Sequence, residues 1–205
     1  MSSIDTLYGG SVLAMKGKNA IVIAADKRMG NNAATLHSNF SRLYLLTPRI
    51  VLGFCCFVPD CQMVFKELRK HVNMFNLNQN REIEPQEVCA LLSYILYSKR
   101  FTPYYLEPLI VGFDSEGKGH IYTMDCIGCI DSPPNFAGKG TAENNLTGIS
   151  EVLFKEDLEE EDLFTTTLQA FLNAVDRDAL SGWGAECIIL TPTKRVHREI
   201  AGRQD

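Results

Sequence analysis

The chain has 205 residues, 45% of them hydrophobic and 22% charged, with a formal net charge of -5. These are the proportions of an ordinary globular domain, and a chain of this length buries roughly 70% of the surface its unfolded form exposes, so it needs neither disulfides nor a metal to fold. The acidic balance argues against a nucleic-acid partner, which requires a concentrated basic face; no apolar run approaches membrane-spanning length and no basic-then-apolar leader opens the chain, so neither insertion nor secretion is expected.

In chain order, short apolar segments come first: "SVLAM" from Ser11, "AIVIAAD" from Ala20, "LYLL" from Leu43 and "IVLGFC" from Ile50. The stretches between them, "KGKN", "MGNN" and "TPR", have turn chemistry, so the segments read as strands. From Cys61 to Asn78 the apolar positions Val64, Leu68, Val72 and Phe75 recur at helical spacing. A second helix is expected from Pro85, a residue suited to a first helical position, through Val88, Leu91, Leu92, Ile95 and Leu96.

The period then returns to strands. "EPLIVGFD", the turn-rich "SEGKG" and "HIYTMD" predict a hairpin, followed by a break at "DSPPN" and a short segment around Phe136. Helical spacing resumes at Leu146, Ile149 and Leu153, and again from Phe164 through Leu168, Phe171 and Val175, with a stop expected at Ser181 and Gly182. "ECIIL" and "RVHREI" flank the turn "TPTK" as two last strands. Runs of strands alternating with pairs of helices do not suit a doubly wound parallel sheet. They predict an α+β fold in which two sheets pack face to face under helices on both outer faces, as a single domain over 1–205.

The seven cysteines, Cys55, Cys56, Cys61, Cys89, Cys126, Cys129 and Cys187, are odd in number and lie largely in apolar runs, which reads as reduced thiols in the cytoplasm or nucleus. Cys126 and Cys129 form a C-x-x-C, but no second ligand pair at matching spacing and no βαβ setting supports a zinc or redox site. His37, His71, His120 and His197 stand apart, and "AGKGT" lacks the rest of a phosphate loop. No metal or cofactor is expected. The acidic run "KEDLEEEDLF" fits a helix N-terminus with a solvated face, and "KRVHREIAGRQD" fits a last strand and a tail available to neighbours.

Five stretches, "GGSVLAMKGKNAIVIAADKR", "KRFTPYYLEPLIVGFD", "MDCIGC", "GKGTAENN" and "NAVDRDALSGWG", together resemble the proteasome beta-type subunits, and within that family the chain is most similar to the beta-type-3 branch of eukaryotic core particles. The resemblance covers nearly the whole chain and implies the αββα sandwich of N-terminal-nucleophile hydrolases. It implies a place in a seven-membered beta ring between beta-type-2 and beta-type-4 neighbours, against an alpha ring and an opposite beta ring. The chamber so enclosed takes unfolded polypeptides in ATP- and ubiquitin-dependent degradation.

Active members of the family expose a threonine by cleavage after a glycine, and its freed amine, with an ordinary pKa of about 7.7 to 8.0, serves as base. Matching "AAD" to Ala24, Ala25 and Asp26 puts Gly10, which has no hydroxyl, at that position. The segment 1–9 is then expected to stay attached. Asp26, Asp178 and Ser181 match the family's supporting residues, whereas Arg42 stands at the lysine position and Lys139 at a serine position. Losing a nucleophile costs on the order of a millionfold in turnover, so the chain is expected to be inert, with Asp26, Asp178 and Ser181 ordering strand ends and a helix terminus. The alternative is a peptidase that uses Ser11 after processing, but a one-residue shift along a strand turns a side chain to the other face, so Ser11 is expected to point away from Asp26. The resemblance also implies that Asp125 and Cys129 line a substrate pocket of the adjacent beta-type-2 subunit; the plainer reading is a buried Cys129 and an Asp125 that ends a strand.

Overall fold

The computed structural model describes residues 4–204. A short helix α1 (Ile4–Leu7) leads into strands β1 (Ser11–Lys16) and β2 (Ile21–Asp26), the hairpin β3 (Met29–Asn31) and β4 (Ala34–His37), and strands β5 (Leu43–Thr47) and β6 (Ile50–Cys56). Helices α2 (Val58–Gln79) and α3 (Pro85–Tyr97) follow, then strands β7 (Leu106–Phe113), β8 (Gly119–Met124), β9 (Ile130–Asp131) and β10 (Phe136–Gly140). Helices α4 (Glu143–Leu153) and α5 (Glu160–Val175) and strands β11 (Ala185–Leu190) and β12 (Arg195–Ile200) complete the order.

Two five-stranded antiparallel sheets form, one ordered β10-β1-β2-β11-β12 and the other β5-β6-β7-β8-β9. Three buried clusters separate the layers. Leu13, Met15, Val22 and Ala24 face Phe164, Ala170 and Phe171 of α5 and Leu146 of α4. Their strand neighbours Val12, Ala14, Ile23 and Ala25 point the other way, against Val51, Cys55, Leu109 and Val111 of the second sheet. Leu52, Phe54 and Ile110 then face Val64, Leu68 and Val72 of α2 and Val88, Leu92 and Leu96 of α3. The alternation is the period of two of a pleated strand, and because both faces are covered, β1, β2 and β6 read as nearly unbroken apolar runs. This is the expected αββα sandwich. At its centre Gly53 lets the sheets close, since a Cβ there would lie 2.6 Å from Val12 Cγ1.

Helix α1 and the two-residue β9 are not among the expected elements, and three further features depart from the sequence reading. Helix α2 starts at Val58, with Pro59 in its first turn, rather than near Cys61. The last helix stops at Val175, six residues before Ser181. Asp178 takes over there, its carboxylate accepting the Leu180 amide at 3.1 Å and the Ser181 hydroxyl at 2.6 Å, and side chains that bond to nearby backbone compete with the helix ladder. The "MGNN" stretch is not a plain turn but part of the separate hairpin β3–β4, whose second strand is exposed throughout.

Candidate functional site

The site lies where three strand ends converge. Antiparallel pairing sets Val12 opposite Ala25, and Ala185 opposite Asp26, so the head of β1, the end of β2 and the loop before β11 meet at one end of the first sheet. Asp26 is fully buried there. Its Oδ1 accepts the Ser11 amide at 3.0 Å, and its Oδ2 accepts the amides of Arg28 at 3.3 Å and Gly182 at 3.1 Å. Burial pushes the carboxyl above its ordinary pKa, opposed by the Arg42 guanidinium and by these three N–H groups.

Arg42, immediately before β5, is 2% exposed and lies with Nε 3.4 Å from Asp26 Oδ1. Its Nη2 donates to the carbonyl of Arg28 at 2.5 Å and to that of Gly9 at 3.2 Å, and the guanidinium stacks over Phe40 at 5.2 Å from the ring centroid. Gly10 has φ +102°, a conformation that L side chains rarely adopt. A Cβ on it would fall 2.0 Å from Arg42 Nε and 2.3 Å from Cζ. The space that a side chain of residue 10 would take is therefore filled by arginine.

On the other side of β1 the Ser11 hydroxyl enters a second cluster. It lies 2.9 Å from the Ser181 hydroxyl and accepts the Ala142 amide at 2.9 Å. Ser181 and Thr141 both donate to Asp178 Oδ2 at 2.6 Å, with their hydroxyls 3.0 Å apart. The pleat thus turns the Ser11 side chain off Asp26, as expected, yet that face is not bare: it holds a closed network of hydroxyls around Asp178. The Ser11 backbone nitrogen, by contrast, is engaged by Asp26 on the opposite side of the strand.

Lys139 is near this region only by its backbone. Its Nζ turns to Glu143 at 2.7 Å, while its carbonyl accepts from Cys55 Sγ at 3.5 Å. Asp125 and Cys129 lie on the loop after β8 and both are exposed, so Cys129 is not the buried thiol of the plainer reading. Asp125 Oδ1 accepts the amides of Ile127 at 3.1 Å and Cys129 at 2.8 Å, which shapes that loop. Among the described residues no group of three or more His, Cys, Asp or Glu is placed to hold a metal ion.

Two contributors were not singled out in the sequence. Thr141 completes the Asp178 network, and Arg28, 3% exposed, ties Leu180 O and Asn32 O with its two terminal nitrogens at 3.0 Å each. Both lie inside the quoted stretches "GKGTAENN" and "AADKR", so the stretches carried a signal that no spacing rule resolves to the residue. Cys56, at the end of β6, adopts φ +79° without being glycine.

Comparison with known proteins identifies the family. A family model described as Proteasome subunit matches residues 6–190. The chain belongs to the proteasome subunit family. Among proteasome relatives, "Proteasome subunit beta type-3-A" of Arabidopsis thaliana is 39% identical over 203 residues, covering 99% of this chain and 100% of the relative. "Proteasome subunit beta type-3" of Saccharomyces cerevisiae is 39% identical over 206 residues, with 100% of both chains covered, and the "Probable proteasome subunit beta type-3" of Schizosaccharomyces pombe is 38% identical over 203 residues.

Proposed function

We propose that this chain is a non-catalytic beta-type-3 subunit of a 20S proteasome core, building the beta ring and the chamber in which neighbouring subunits hydrolyse unfolded polypeptides. One observation carries the non-catalytic reading: residue 10 has no side chain and Arg42 occupies the space beside it. An assembled role accords with large apolar groups left in solvent: Leu77 on α2 and Tyr94 on α3 are 83% and 73% exposed, and Phe101 in the turn after α3 is 96% exposed. In the ring, beta-type-2 and beta-type-4 subunits flank it, an alpha ring lies on one side and a second beta ring on the other. Asp125 and Cys129, exposed on one loop, face the beta-type-2 neighbour and shape its substrate pocket.

The test is covalent labelling of particles purified from the host with a peptide epoxyketone, followed by mass spectrometry of each polypeptide. Label on other beta subunits and none on this chain is expected. Label on this chain, or a mature chain beginning at Ser11, overturns the reading in favour of a serine-based peptidase. Asp125→Ala in the same particles is expected to change trypsin-like cleavage while leaving the other two activities in place; three unchanged activities reject the pocket role.

A further inference from the structure

Three atoms of one side chain meet three separate demands around Gly10. Arg42 Nε faces Asp26, its Nη2 bridges the carbonyls of Gly9 and Arg28, and its Nε, Cζ and Nη2 stand 2.0–2.3 Å from where a Cβ on residue 10 would be built. Its remaining nitrogen, Nη1, is buried with no hydrogen-bond partner among the described residues. A buried guanidinium that leaves one of its nitrogens unbonded is held by its other contacts and by packing, because solvent offers it nothing there. The backbone on both sides of Gly10 is also fixed independently: the carbonyls of Leu7 and Tyr8 accept the amides of Asn32 at 2.8 Å and Gly30 at 3.1 Å, and the Gly10 carbonyl accepts the Thr141 amide at 3.1 Å. Residue 10 therefore cannot swing away from the guanidinium without breaking bonds on either side.

We propose that Arg42 is a latch that fastens the segment preceding β1 into the site and makes residue 10 a glycine-only position, so that a nucleophile cannot be regained there by a single substitution. Lysine at position 42 would still reach Asp26 with its ammonium but carries none of the planar atoms that fill the residue-10 space. The two positions, 32 residues apart in sequence, must then change together. This rests on the non-catalytic reading only for its significance, since packing at residue 10 is measurable whether or not the chain hydrolyses anything.

A double-mutant cycle tests it. Gly10→Ala, Arg42→Lys and the pair are made in the full chain, purified in the assembly the chain forms in its host, and heated under brief proteolysis with mass spectrometry reading survival of this polypeptide. The strain of φ +102° is common to both backgrounds and cancels. Gly10→Ala is expected to lower the midpoint by about 2–10 °C more with Arg42 present than in the Arg42→Lys background, as an overpacked site in a chain of this size should. Equal shifts in both backgrounds overturn the latch. If Gly10→Ala abolishes the folded chain, its return when combined with Arg42→Lys supports the latch, and its continued absence overturns it. Loss of the folded chain on Arg42→Lys alone also overturns it, because separability of the two positions is what the proposal asserts. Epoxyketone labelling of the wild-type chain would defeat the non-catalytic reading and leave the cycle intact, so the two claims fail separately.

Discussion

Asp178 shows how much a single carboxylate can organise. It holds the hydroxyls of Thr141 and Ser181 and the amide of Leu180, and through Ser181 it reaches Ser11 on a strand 170 residues from Ser181 in sequence. Asp178→Ala leaves two hydroxyls and an amide without their acceptor, a loss of about 1–3 kcal/mol, while Asp178→Asn keeps one carbonyl oxygen for them. Thermal melting should therefore rank wild type above Asn above Ala, with the alanine variant several degrees lower at about 2–4 °C per kcal/mol for this chain length. Equal melting of wild type and the alanine variant would show the network to be idle. These residues are the part of the site least legible in sequence. Ser181 and Asp178 are three apart and could be guessed as partners, but Thr141 and Ser11 join them only because β10 pairs with β1.

Among the elements, α5 is the one whose burial the sequence states most directly. Leu163, Phe164, Ala170, Phe171 and Val175 are buried in one face, and Glu160, Glu161 and Asp162 lie in the first turn, where the macrodipole favours carboxylates. Phe171 is fully enclosed. Phe171→Ala should cost about 3–5 kcal/mol in denaturant unfolding, as deletion of a buried ring does, whereas Val152→Ser on the exposed face of α4 should change stability by no more than about 0.5 kcal/mol. A small loss at Phe171 would mean that α5 is not docked on the first sheet. Both pairs of helices and nine of the strands follow from apolar periodicity, because each has a face to bury, whereas the two-residue β9 is exposed and leaves no such signal. The hairpin β3–β4 does not follow from it either, since its second strand buries nothing and leaves no alternation to read. The end of α5 was also illegible: Gly182 looked like a stop, but the helix yields earlier to side-chain competition from Asp178.

For the whole molecule, the thiols set a limit on alkaline stability. Burial pushes Cys61, Cys89 and Cys187 up to about 12 from an unfolded value near 9, and Cys55 is also raised well above it. A group whose folded pKa is raised contributes stability that is fully present below its unfolded pKa and lost as pH rises beyond it, because the unfolded chain can ionise and the folded chain cannot. The melting temperature should accordingly hold to about pH 8.5 and fall between about pH 9 and 12, and Cys89→Ala with Cys187→Ala should flatten that slope even as they lower the plateau. An unchanged slope would place the alkaline limb elsewhere. The four-layer architecture was legible because element order alone separates it from a doubly wound sheet. The fit of Arg42 into the space beside Gly10 was not, since nothing in either residue's neighbourhood announces the other; only the fold brings them within bonding distance.

The convergence on Asp26 has a further consequence. One carboxylate gathers the head of a strand, the turn that follows its own strand and a loop 156 residues away, all by amide hydrogens. Because burial raises its pKa, the folded chain takes up a proton there more readily than the unfolded chain, so mild acid should spare this corner. Deleting the carboxylate by substitution would instead slacken all three stretches as one piece and not thread by thread.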